Sequence, residues 1–192
     1  MKSFVRCILG IFPRTWLQRL ANLLLPFLDF CYRGSRYTDP INGKSYRSFL
    51  PYGYVKIRPN ALSPGTLSLE RHRLIWLYLQ RETNFFKTSA KLLHMAPEKA
   101  FMKRLKKLKN LAYTTCDLES PLADVKTDIC DLPFDDASFD WILCNHVLEH
   151  IPNDTKAMQE LYRVLKPGGI ALLQVPLESN RKETFEDDSI VN

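Results

Sequence analysis

Five polar residues in the middle of the chain stand at or just after the ends of four short apolar runs, and their types suit a ligand that carries a nucleoside. Glu98 follows LLHM after Ala96 and Pro97, Asp117 closes LAYTTC, Asp128 lies in VKTDI, and Asn145-His146 ends DWILCN. Ligands of doubly wound parallel sheets bind outside the carboxyl ends of the strands, so these residues would share one rim. An acidic side chain after the second strand can accept both hydroxyls of a ribose. Asp128, followed by the backbone amide of Ile129, can pair with the amino edge of an adenine. Each such aspartate is, taken singly, more often a cap or turn residue. The set is what points to a nucleoside ligand.

The elements that must position them are legible in outline. LLHM, LAYTTC, VKTDI, DWILCN and IALLQVP read as five short strands. EKAFMKRLKKLKN and DTKAMQELYRVL read as amphipathic helices between them, the second stopped by Pro167-Gly168-Gly169. This alternation predicts an α/β fold with a doubly wound, mainly parallel, Rossmann-like sheet. Upstream, LSLERHRLIWLYLQRETNFF reads as a helix opened by Thr66 or Ser68. Its Arg71 and Arg73 read as parts of a solvated face. The expected organisation is an amphipathic helical extension over 1–33, a loop-rich segment over 34–66, and the Rossmann-like domain over 67–192.

From about Lys91 to Pro176, and most specifically from Asp128 to Gly169, the chain resembles the class I S-adenosylmethionine-dependent methyltransferases of small molecules. The residues that carry the resemblance are DICDLPFDDASFDWILCNHVLEHIPNDTKAMQELYRVLKPGG. It implies S-adenosylmethionine as cofactor and a small-molecule or lipid acceptor. Asp117 would hold the ribose and Asp128 with Ile129 the adenine. Leu132 and Phe134 would wall the adenine, and Cys144 and Asn145 would line the methionine end. His146 would face the acceptor as the candidate catalytic base. The family's glycine-rich loop after the first strand is replaced by HMAPEKA, with Ala96 and Glu98 where the first two glycines would fall. No glycine occurs between Gly65 and Gly168. Glu98 is expected to meet the cofactor's ammonium group.

The APE turn resembles a subset of the family whose N-terminal region carries two C-x-x-C pairs as a zinc ribbon. The equivalent positions here are Asp39, Asn42, Ser63 and Thr66, which cannot supply a closed set of sulfur or nitrogen ligands. No metal is expected there, and hydrogen bonds are expected to hold the segment instead. His146 to His150 also spells H-x-x-E-H, a zinc-peptidase pattern that requires a helix and a distant third ligand.

The chain has 192 residues, 45% hydrophobic and 25% charged, which excludes wholesale disorder. Its five scattered cysteines argue against a disulfide framework and for a reducing, cytoplasmic setting. Residues 1–110 hold 21 Lys+Arg against 5 Asp+Glu, whereas residues 111–192 hold 6 against 16. The apolar, basic stretch over 1–33 is too interrupted to span a bilayer, though it suits peripheral contact with an anionic membrane. The lysines over 103–109 lack interleaved aromatics, so no nucleic-acid partner is expected. A complete domain of this family continues past strand five. That strand is therefore expected to be an open edge, suited to a homodimer. The alternative to an enzyme is a catalytically inactive Rossmann-like binding module.

Overall fold

The computed structural model describes residues 24–53 and 56–177. Residues 1–23 of the expected 1–33 extension lie outside them. The chain divides into two units, residues 1–82 and 83–192.

In the first unit, residues 24–31 are helical (α1). Two antiparallel hairpins follow, pairing β1 (Arg33–Asp39) with β2 (Lys44–Tyr46) and β3 (Leu50–Tyr52) with β4 (Arg58–Leu62). The segment read as loop-rich thus contains four strands. They escape a periodicity reading because β2 and β3 have only three residues each, β3 and β4 carry Pro51 and Pro59, and β1 buries only Asp39 and so shows no apolar alternation. Helix α2 (Glu70–Arg81) starts later than expected, since the Thr66 and Ser68 hydroxyls are engaged elsewhere. The imidazole Nδ1 of His72 accepts from the Leu69 amide at 3.0 Å and caps the helix in their place.

Asp39, fully buried, is the hub of this unit. One carboxylate oxygen accepts from the Ile41 amide, and the other accepts from the hydroxyls of Ser63 and Thr66 at 2.5 Å and of Ser68 at 3.4 Å. Three of the four positions singled out in the sequence are therefore joined by direct hydrogen bonds. The fourth, Asn42, donates instead to the Tyr46 hydroxyl, which donates in turn to Asp29. Gly65 packs directly on this network, where a Cβ would run into the Tyr46 hydroxyl and Asn42. Arg73 is not on a solvated face. It is buried, donates to the carbonyls of Ala61 and Ser68, and lies 4.6 Å over the Phe49 ring. A guanidinium tolerates such burial because its fork is satisfied by fixed carbonyls.

In the second unit, β5 (Ala90–Met95), β6 (Leu111–Asp117), β7 (Val125–Lys126), β8 (Phe139–Asn145) and β9 (Leu165–Gln174) form one parallel sheet in the order β7-β6-β5-β8-β9. The order reverses between β5 and β8, which makes the ends of these two strands the natural ligand crevice. One face carries Leu93, Met95, Cys116, Ile142 and Cys144. Helix α4 (Asp154–Val164) covers it with Ala157, Leu161 and Val164, spaced to share one helical stripe. The other face carries Leu92, His94, Thr115, Trp141, Leu143 and Asn145, all buried.

Helix α3 (Lys99–Leu105) is shorter than its sequence pattern, ending once Leu105 is buried, and residues 106–110 continue as turns. Strand β9 starts earlier than expected. Lys166 to Gly169 bulge between its first rung, opposite Phe139, and its regular pairing from Ile170 on, with Gly168 at φ +77°. Among the described residues no helix is long and apolar enough to cross a membrane.

Candidate active site

The carboxyl ends of β5, β6 and β8 bring the expected residues to one rim of the sheet. After β5, Ala96 takes a left-handed backbone conformation, φ +44°, and its amide donates to the Cys116 carbonyl at 2.8 Å. The chain thus makes, at the energetic cost of a Cβ, a turn that a glycine would make freely. Glu98 stands at the N-cap of α3 but does not cap it. Its carboxylate lies 2.6 Å from Nε2 of the fully buried His94.

After β6, one oxygen of Asp117 accepts from the amides of Glu119 at 2.9 Å and Ser120 at 2.8 Å. Asp128 lies beyond the short β7, and one of its oxygens accepts from the Cys130 amide at 2.8 Å. Both aspartates are turn residues with one oxygen committed. Ile129 buries its side chain in the core, 4% exposed, and its backbone amide makes no hydrogen bond in the described chain.

Asn145, at the end of β8, is 3% exposed, yet neither its amide nitrogen nor its amide oxygen has a partner. Gln174 stands opposite it on β9, also with a buried, unpartnered side-chain oxygen. Buried amides left this way cost about 1–3 kcal/mol each, so a native fold that keeps them needs a reason. His146 is again left-handed, φ +55°, and its amide is tied to the Gln174 carbonyl at 2.7 Å. Its Nδ1 lies 2.9 Å from Glu149. A carboxylate only accepts, so Nδ1 carries a proton, and in the neutral ring Nε2 has the lone pair a general base needs. Burial, reinforced by the Glu149 and Glu98 charges, pushes the Cys144 thiol up to about 12 and keeps it an apolar wall.

Sequence reasoning did not find the clamp behind the 131–138 turn. Arg163 on α4 donates to the carbonyls of Leu132 and Phe134 and to Asp136 and Glu160, while Glu160 accepts from the Leu132 amide. The Arg163 hydrogen bond holds the Glu160 carboxyl at about 2. The i, i+3 spacing of Glu160 and Arg163 is the signal available in sequence. The H-x-x-E-H segment is not a helix. Leu148–His150 is a single 3-10 turn, which removes the shared helical face the peptidase pattern requires, and no metal-binding cluster occurs among the described residues.

The residues at this rim fit a cationic nucleoside ligand. Glu98, Asp117, Asp128 and Glu149 supply carboxylates, and Asn145 supplies an unused amide. Residues 81–173 match the family model described as a methyltransferase domain. The demethylmenaquinone methyltransferase of Staphylococcus carnosus is 48% identical over 48 residues, 25% of this chain and 20% of that enzyme. The sterol 4-C-methyltransferase strm-1 of Caenorhabditis elegans is 39% identical over 56 residues, 29% of this chain and 17% of that enzyme. These matches span about a fifth of the curated relatives' length. Among solved structures, the 4+2 cyclase SpnF shares the fold with a TM-score of 0.51 at 18% identity, over 86% of this chain and 62% of that one.

Proposed function

With residues 81–173 forming a domain of the class I S-adenosylmethionine-dependent methyltransferase family, we propose that the protein transfers a methyl group from S-adenosylmethionine to a small, lipid-soluble acceptor. The observation that carries the reading is Asn145, a buried amide without a partner at the crevice between β5 and β8. When bound, the cofactor supplies an electrophilic methyl on a sulfonium, so the chain's task is alignment and exclusion of water. Asp117 would accept from the ribose hydroxyls with its uncommitted oxygen, and Asp128 with the Ile129 amide would read the adenine edge. Glu98 and Glu149 give the crevice a negative charge suited to a cation. Nε2 of His146 would take the proton from the acceptor.

A lipid-soluble acceptor is supported by the named substrates of the relatives and by the first unit. In α1, Leu24, Phe27 and Phe30 recur at i, i+3 and are 47%, 64% and 70% exposed. That stripe, beside an excess of basic residues, suits peripheral contact with an anionic membrane surface. The alternative, a binding module without transfer, is favoured by the glycine-free loop at Ala96.

Titration calorimetry with S-adenosylmethionine and S-adenosylhomocysteine tests the binding half of the reading. Asp117→Ala and Asp128→Ala are each expected to weaken binding without unfolding the chain. Unchanged affinity in both would overturn the assignment. His146→Gln is expected to leave cofactor affinity intact and to lower transfer to a quinone or sterol acceptor by about a hundredfold. Binding by the wild-type chain with no transfer to any lipid acceptor would favour the inactive module.

A further inference from the structure

We propose that His94 is a positioning residue, which holds the Glu98 carboxylate ready for the cofactor's ammonium group and is itself fixed from behind by Tyr113. The inference rests on the functional reading above and deepens it.

His94 sits on the central strand β5 and is 0% exposed, with Leu92, Leu93 and Met95 as its apolar strand neighbours. Packing alone would be served by another leucine. Instead its Nε2 lies 2.6 Å from Glu98 and its Nδ1 lies 2.8 Å from the Tyr113 hydroxyl on β6. The direction of these bonds follows from donor chemistry. A carboxylate only accepts, so Nε2 bears a proton. The neutral ring then accepts at Nδ1 from the phenol, which burial, with the Glu98 and Asp124 charges behind it, keeps protonated well above its ordinary range. Every donor in the chain from Tyr113 to His94 to Glu98 therefore points toward the rim.

Glu98 is the exit of that chain. It follows the strained Ala96 turn and stands at the start of α3, where a side chain would ordinarily cap the helix, yet it makes no cap hydrogen bond. Its side chain remains 18% exposed while its partner His94 is sealed. With both imidazole nitrogens engaged, the buried ring holds one Glu98 oxygen more firmly than a lone surface carboxylate could be held. The carboxylate is thereby preorganised where a glycine loop would bring only backbone.

The test compares two probes, S-adenosylhomocysteine, which carries the ammonium, and 5′-methylthioadenosine, which lacks it. In titration calorimetry on the full chain, His94→Leu is expected to weaken S-adenosylhomocysteine about tenfold or more, and Glu98→Gln by a similar factor. The double variant is expected to lose little beyond either single one. His94→Gln, whose amide can donate from near the Nε2 position, is expected to recover most of the affinity. All variants should bind 5′-methylthioadenosine as the wild type does, which a general loss of structure would not allow. The proposal is overturned if His94→Leu binds both probes like the wild type. It is also overturned if His94→Gln and Tyr113→Phe lose both probes alike, since His94 would then be a packing residue. A folded wild-type chain that binds neither probe would overturn the functional reading, and this inference with it.

Discussion

Asp39 and Asn145 are both polar and both sealed from water, at 0% and 3% exposure, and they are treated in opposite ways. Asp39 accepts four hydrogen bonds, from one backbone amide and three hydroxyls, and draws two turns of the first unit together. Asn145 makes none with either side-chain atom. A buried polar group that is saturated from within is structural, because its bonds repay its desolvation. A buried polar group left bare at a strand end destabilises the fold, and it is the kind of position that a ligand completes. The same contrast holds within the second unit. The 131–138 turn is clamped by Arg163 and Glu160, whereas the ends of β5 and β8 carry left-handed Ala96 and His146 beside the bare amide. Left-handed backbone occurs at both, since Ala137 in the clamped turn has φ +50°, but the bare buried amide lies at the crevice and not in the clamped turn.

The sharpest break in the comparison is Asp39→Ala. It removes the shared acceptor of the Ser63, Thr66 and Ser68 hydroxyls and leaves the buried Ser63 hydroxyl and the Ile41 amide without that acceptor, with an expected loss of about 3 kcal/mol in a urea melt. Stability equal to that of the wild type would show that the hub is dispensable. Arg163→Met is expected to lower the urea midpoint by less than Asp39→Ala does, because it leaves the Leu132 and Phe134 carbonyls without their charged donor.

The same variant has a pH signature. Glu160 has a folded-state value lowered from 4.5 to about 2, mainly by its hydrogen bond from Arg163. Its contribution to stability is therefore fully present above about pH 4.5 and is lost as pH falls toward 2. Acid titrations of stability should show this slope in the wild type and a flatter one in Arg163→Met. Parallel slopes would remove Arg163 as the cause.

Much of the second unit was legible because its signals are local. Apolar runs of strand length, the α4 stripe and polar residues at strand ends were enough to place β5, β6 and β8 and to bring Glu98, Asp117, Asp128, Asn145 and His146 to one rim. What stayed hidden depends on partners distant in sequence. Arg73 reads as solvated until the hairpin carbonyl of Ala61 is seen beneath it. The hairpin strands are either very short or, in β1, bury only Asp39 and so show no apolar period, and the Pro167-Gly168 pair looks like a stop although it forms a bulge inside β9. His94 looks like one polar interruption in an apolar strand, and only the fold brings Tyr113 and Glu98 to its two nitrogens. The bare state of Asn145 is hidden for the opposite reason: it depends on what does not come near.

Asn145→Leu tests the account most directly, because the expected signs are opposite. Replacing an unpaired buried amide by an apolar side chain of similar size should leave thermal stability unchanged or raise it by up to about 1 kcal/mol. Affinity for S-adenosylhomocysteine, measured by calorimetry on the same preparation, should fall about tenfold or more. A variant that binds as tightly as the wild type, or that unfolds as Asp39→Ala is expected to, would contradict the assignment of this crevice as the cofactor site.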